Sequence, residues 1–151
     1  MLLRQDRAQT AIAVALDVAF HAGRGGALVG AAEVAERLGA ARRGLEPVLQ
    51  ALSRAGLLDS VRGPKGGYRL ARRARDIRLL DLVLALEDSA EPASPDALSG
   101  DLQRAVTTPL WSELDTLLRD RLAAISLDDL LRAAASAGLR RPTTEPLNFA
   151  I

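Results

Sequence analysis

The chain has 151 residues and a mass of 16.0 kDa, with a formal net charge of +1, one His, one Trp and no Cys. That length suits one domain with room for a helical extension, and 48% hydrophobic with 26% charged residues excludes global disorder. The missing cysteines exclude a disulfide scaffold, thiolate metal sites and a cysteine nucleophile, and no apolar run reaches the roughly 18–20 residues of a membrane span.

Arg4 and Arg7 precede the apolar run Ala11 to Phe20, which has the outline of a secretory signal. Asp17 interrupts it and no small-residue cleavage site follows, so the expectation is a buried first helix over 7–21 in a cytoplasmic protein. Gly25 and Gly30 have phosphate-loop spacing, but Ala31-Ala32 stand where Lys and Ser/Thr would hold phosphate and magnesium, and the motif fails.

A short helix over 31–38 puts Val34, Ala35 and Leu38 on one face and ends at Gly39. The next helix, 42–55, turns Leu45, Val48, Leu49 and Leu52 inward, so the two form a helix-turn-helix candidate. Gly56 closes the second helix. Leu57 to Arg62 reads as a strand, Gly63-Pro64-Lys65-Gly66-Gly67 as a tip, and Tyr68 to Ala71 as a returning strand. A helix-turn-helix followed by a basic hairpin is a winged helix, and Arg69, Arg72, Arg73, Arg75 and Arg78 continue its positive stripe. Residues 1–78 carry a net +7 and residues 79–151 a net −6, as expected where only the first half meets a polyanion.

A helix over 79–88 presents Leu79, Leu82, Val83 and Leu86. Asp88 to Asp101, with Pro92, Pro95 and Gly100, reads as a loop. A long apolar stripe over 102–125 is broken at most near Pro109, and Ser126 with Asp129 three residues on is a capping-box start for a last helix to Ala137. The fold class expected is mainly α with a small β-hairpin wing. The expected division is a winged helix-turn-helix over 1–87, a loop over 88–101, dimerisation helices over 102–137 and a tail over 138–151.

The residues Val34-Ala35-Glu36-Arg37-Leu38-Gly39, Leu45-Glu46-Pro47-Val48-Leu49, Ala55-Gly56-Leu57 and above all Ser60 to Ala71 resemble the IscR/NsrR-type bacterial transcription regulators, the Rrf-two family. Ile77 to Glu87 and Trp111 to Leu130 extend the resemblance over roughly residues 1–131. It implies a homodimeric winged-helix protein that binds double-stranded DNA at a palindromic operator. Many members sense redox state, nitric oxide or cluster supply through an iron–sulfur cluster held by three cysteines in the loop before the long helix. Here that loop has none, and the family's Ser and Tyr at the start of the recognition helix are Ala41 and Gly44.

The DNA-contacting candidates are Arg42 and Arg43 at the recognition helix's N-terminal end, Glu46 and Gln50 on its next turns, and, by resemblance, Arg62 and Lys65 in the wing. The stripe Trp111, Leu114, Leu118, Leu122 and Ile125 is longer than a small core can cover, so a two-fold dimer interface is expected there, one that charged residues at Leu114 and Leu118 would break. No cofactor is expected. Asp88, Glu91, Asp96 and Asp101 with His21 would make a set of hard carboxylates with one imidazole, a poor site for a soft cluster. An apolar pocket between the long helix and the winged-helix core is the alternative sensor, for an unidentified effector. No catalytic constellation is present: His21 closes an apolar helix, Asp128 and Asp129 fall in a helix's first turn, and Glu87-Asp88 lacks a partner base. The rival reading is a winged-helix interaction module that has lost DNA reading.

Overall fold

The central element is α1 (Gln5–His21), because the residues recurring on its inner faces are small or β-branched. Ala11, Val14, Ala15, Val18 and Ala19 are sealed from solvent, and short side chains let neighbouring helices approach closely. The computed structural model describes residues 5–23, 25–87 and 100–142. Around α1 stand α2 (Ala31–Leu38), α3 (Arg42–Arg54), α4 (Leu79–Glu87) and α6 (Leu127–Ser136), with α5 (Thr108–Ala124) packed on α4. The largest sealed side chains, Leu49 and Leu52 of α3, Leu82 of α4, Leu127 of α6, and Leu57 and Ile77 from the connecting segments, lie in one cluster with Val34 of α2, so α6 shares one core with the helix-turn-helix.

The predicted boundaries hold to within a residue or two. α2 ends on Gly39 at φ 62° and α3 closes on Gly56 at φ 71°, each followed by an amide reaching back five residues. Ala40 N donates to Ala35 O at 3.0 Å and Leu57 N to Leu52 O at 3.0 Å, the paired bonds of a Schellman stop. The hairpin pairs β1 (Leu58–Val61) with β2 (Gly67–Leu70) in antiparallel register, Leu58 opposite Leu70 and Val61 opposite Gly67.

One feature of the wing was not anticipated. Val29 and Tyr68 exchange both backbone hydrogen bonds at 2.8 Å, so the segment before α2 forms a third, one-residue rung of the sheet. That contact explains Gly67, where a Cβ would stand 2.7 Å from the Val29 carbonyl oxygen, whereas a Cβ on Gly66 would collide with Val61 O within the hairpin itself.

The segment over 100–125 is irregular where the proline suggested. Gln103–Thr107 makes a wide π turn before α5, with the Thr108 N–H reaching back to Gln103 O. Pro109, which has no N–H to offer the previous turn, follows directly. Of the expected loop, 88–99 lies outside the described residues; residues 101–102 are already helical.

At the start of α6 the capping box is complete: Asp129 N donates to Ser126 Oγ at 3.1 Å and Ser126 N to Asp129 Oδ2 at 2.8 Å. These bonds hold the Asp129 carboxyl below its ordinary range. Its contribution to stability is therefore present above the unfolded carboxylate range and lost as pH falls through the depressed value. Replacing Ser126, which is buried, by alanine is expected to cost about 1 kcal/mol in urea unfolding at neutral pH.

Candidate nucleic-acid interface

α2 and α3 meet the wing across an open groove of about 590 Å³. Its floor is Gly30, Ala31 and Ala32. One wall is Arg42, Glu46 and Gln50, spaced four residues apart on one face of α3, and the other runs from Ser60 to Pro64 and through Gly66 to Tyr68. The opposite face of α3, with Leu45, Leu49 and Leu52, is buried in the core. Burial on one face thus leaves the polar face, with its three hydrogen-bonding side chains, standing in the groove. The sequence-predicted Arg42, Glu46, Gln50 and Arg62 share this groove, while Arg43 and Lys65 are exposed and do not line it.

The charges are not equally available. Arg42 Nε lies 3.5 Å from Glu46 Oε1 one turn on, so each restrains the other along the helix. Arg69 faces Asp59 across the hairpin at 3.7 Å and Arg73 bonds Asp76 at 2.8 Å, which removes two members of the expected basic stripe from free positive charge. Among the described residues Arg43, Arg62, Lys65, Arg72 and Arg75 make no ion pair with a carboxylate. Lys65 and Arg62 at the wing tip are fully available to an anion.

The N-terminus of α3 is open. Ala41 accepts no side-chain cap bond, so the first-turn amides have no side-chain partner from that residue. Pro47, five residues into the helix, has no N–H for the Arg43 carbonyl. Such an end offers backbone donors and a positive dipole to an anion placed beside it.

α2 is anchored from behind. Arg37 Nε donates to Asp17 Oδ1 at 3.0 Å and its Nη2 to Oδ2 at 2.8 Å, a two-pronged bond from α2 to α1. His21 Nδ1 lies 3.3 Å from the same carboxylate. Asp17 thus interrupts the apolar run of α1 in order to fix the helix that supports α3. Sequence spacing offered no signal for it, since the partner is 20 residues away.

The expected dimer stripe divides in two. Trp111 and Leu114 are exposed, and Leu102, Val106, Leu110 and Leu117 join them on an apolar face open along α5 and its preceding turn. Leu118 is half-buried, whereas Leu122 and Ile125 pack against the chain's own core. The reason is local: Leu79 N donates to Ile125 O at 3.0 Å, drawing the end of α5 onto the start of α4. Arg119, bonded to Asp115 at 2.7 Å and paired with Glu87 at 3.6 Å, fastens the same helices.

Comparison with known proteins bears on this geometry. The profile of the Rrf2 family, described as "Iron-dependent Transcriptional regulator", matches residues 5–133. The chain is 35% identical over 125 residues to the transcriptional regulator IscR of Vibrio campbellii, covering 81% of this chain and 73% of that protein. It is 38% identical to IscR of Photobacterium profundum, over 81% and 71% of the two chains. Among solved structures, T. potens IscR superimposes with a TM-score of 0.69 at 31% identity, covering 90% of each chain. The cysteine regulator CymR of B. subtilis does so with a TM-score of 0.68 at 25% identity, over 88% of this chain and 98% of that one. The iron in the family description finds no fitting donors here. The chain has no cysteine, and among the described residues no three His, Asp or Glu side chains converge. His21 is committed to Asp17 and Asp101 to Arg104.

Proposed function

Because the chain belongs to the Rrf2 family of helix-turn-helix transcription regulators, we propose that it is a cluster-free, homodimeric, cytoplasmic regulator that reads a palindromic operator with α3 in the major groove and the wing alongside. The observation that carries this reading is the single groove that brings Arg42, Glu46 and Gln50 of α3 to face Arg62 of the wing. Arg42 is suited to guanine, Gln50 to adenine and Glu46 to a cytosine amino group, each through the major-groove edge. Arg43, Arg62 and Lys65 supply phosphate contacts, and the uncapped N-terminus of α3 accepts a phosphate on its backbone amides. Residues 1–87 act as the DNA-binding part, 88–101 as the connection and 102–137 as the dimerising part. Among the described residues no helix is long and apolar enough to cross a membrane.

The test is a binding titration on the gene's own upstream DNA across a salt series. Wild-type affinity should fall steeply with salt. Arg62→Ala should weaken binding at every salt concentration and reduce the salt slope by about one ion per protomer. Gln50→Ala should instead cost about 1–3 kcal/mol on the operator alone, with binding to unrelated DNA unchanged. Salt-independent affinity, or an Arg62→Ala protein that binds normally, contradicts the reading. Protein purified without oxygen from iron-replete cells should be colourless, and a brown sample with stoichiometric iron contradicts the cluster-free part.

A further inference from the structure

A second concavity, of about 530 Å³, lies between α1, α2, α6 and residues 139–140 and shares no lining residue with the first. This is neither the groove that faces DNA nor the space between α5 and the core where an effector pocket was expected. Its walls are apolar: Ala13, Leu16 and Phe20 from α1, Leu38 from α2, and Ala134 and Leu139 from the far side. The size falls within the range of small-molecule sites, which combine apolar walls with a few placed polar groups.

The outer wall is held in position by the chain itself. Arg141 Nη2 donates to Ala19 O at 2.6 Å, capping the last turn of α1 across 122 residues of sequence. Leu139 N donates to Ala134 O at 3.0 Å, closing the end of α6. Between these two anchors Leu139 and Arg140, both exposed, form the outer rim of this open concavity.

The polar lining is Asp17, His21, Arg37 and Arg140. The Asp17 carboxylate accepts from Arg37 Nε and Nη2, His21 Nδ1 bonds the Asp17 backbone carbonyl at 2.9 Å while lying 3.3 Å from Oδ1, and Arg37 turns its remaining edge to Glu33 at 3.7 Å. Arg140 pairs with no carboxylate among the described residues. An open apolar concavity whose one uncommitted charge is a guanidinium at its rim suits an anion with an apolar body. A carboxylate matches the fork of arginine by two parallel hydrogen bonds.

We propose that this cavity binds a medium-sized amphipathic monocarboxylate, its apolar body between α1 and α6 and its carboxylate on Arg140. Because α2 forms one wall and also supports α3, occupancy tunes operator affinity. That consequence rests on the DNA-binding reading; the ligand site itself does not.

The experiment is calorimetry on the full chain with decanoate below its micelle concentration, with 1-decanol and acetate as probes lacking one half of the ligand. Decanoate should bind once per chain with a Kd on the order of 100 µM. Decanol should bind at least tenfold more weakly and acetate not at all. Arg140→Gln should weaken decanoate about tenfold and leave decanol unchanged, while Ala134→Phe should fill the chamber and abolish both. As a check independent of any variant's folding, amide NMR shifts in the wild type should centre on α1, α2 and α6. No binding, equal affinity for decanoate and decanol, or shifts centred on α5 overturns the site. Operator affinity unchanged at saturating decanoate overturns its regulatory role even where the site is filled.

Discussion

A chain carrying Leu110→Glu and Leu114→Glu should sediment as a monomer at micromolar concentration and lose operator affinity by a factor of about 10²–10⁴, with its helix content intact. Both leucines are exposed, 50% and 41%, so the change does not enter the chain's own core. Each lies in the apolar stripe from Leu102 to Leu117, which has no covering element among the described residues. Monomeric proteins rarely leave such a contiguous stripe in water, and pairing it with its own copy about a two-fold axis would bury it. Glutamates there would have to be desolvated in any pairing, a penalty of several kcal/mol that no partner charge offsets.

The loss on DNA follows from geometry. A dimer presents two α3 helices to two half-sites, and the second binding event is effectively intramolecular. Separated protomers keep the groove, Arg62 and Lys65, so each half-site contact survives with its salt sensitivity while the multiplication is lost. Leu110 is the better companion to Leu114 than Leu118, which is half-buried and would confuse unfolding with dissociation. A wild type that is itself monomeric at micromolar concentration defeats the proposal.

How much of this could be read from the residues depended on the range of the contact. The helix-turn-helix was legible because Leu45, Leu49 and Leu52 recur at helical spacing and Gly39 and Gly56 mark the stops, all within a turn or two. The wing tip was legible because adjacent glycines announce a close backbone approach, although what approaches, Val29, lies 38 positions before Gly67 and gave no local sign. On α5 the periodicity predicts a helical apolar stripe but not how it divides between core and open face. Which leucines a helix shares with its own domain and which it leaves free depends on where α4 and α6 meet its end, through Ile125 and Leu127. Arg141 on the end of α1 was beyond reach for the same reason.

Asp17 is the clearest case. Along the sequence it marks a break in an apolar run, and only the fold reveals a buried carboxylate held by two arginine nitrogens and flanked by a histidine. Burial without the arginine would strand a charge in the interior, so the two residues should fail very unequally when replaced. Arg37→Ala leaves Asp17, with a side chain only 8% exposed, facing His21 alone, and should cost about 3–5 kcal/mol. For a chain of this size that is a fall of roughly 10 °C or more in unfolding temperature, at a fixed protomer concentration. Asp17→Asn should cost less, since Arg37 is 29% exposed and can turn to water and to Glu33.

The double variant Asp17→Leu with Arg37→Met should recover most of the loss, because a well-packed apolar pair needs no desolvated charge. The Asp17 hydrogen bond raises the Arg37 guanidinium above its ordinary value. A raised basic group stabilises wherever it is protonated and stops doing so only in strong alkali, so the cost of Arg37→Ala relative to wild type should not shrink between pH 6 and 9 through loss of charge on Arg37. Operator binding should weaken in step, because α2 is the support on which α3 rests and the bond to Asp17 is what fixes α2 to α1. A loss below about 1 kcal/mol for Arg37→Ala, or a double variant as unstable as the single one, would show that the pair contributes nothing that packing alone does not.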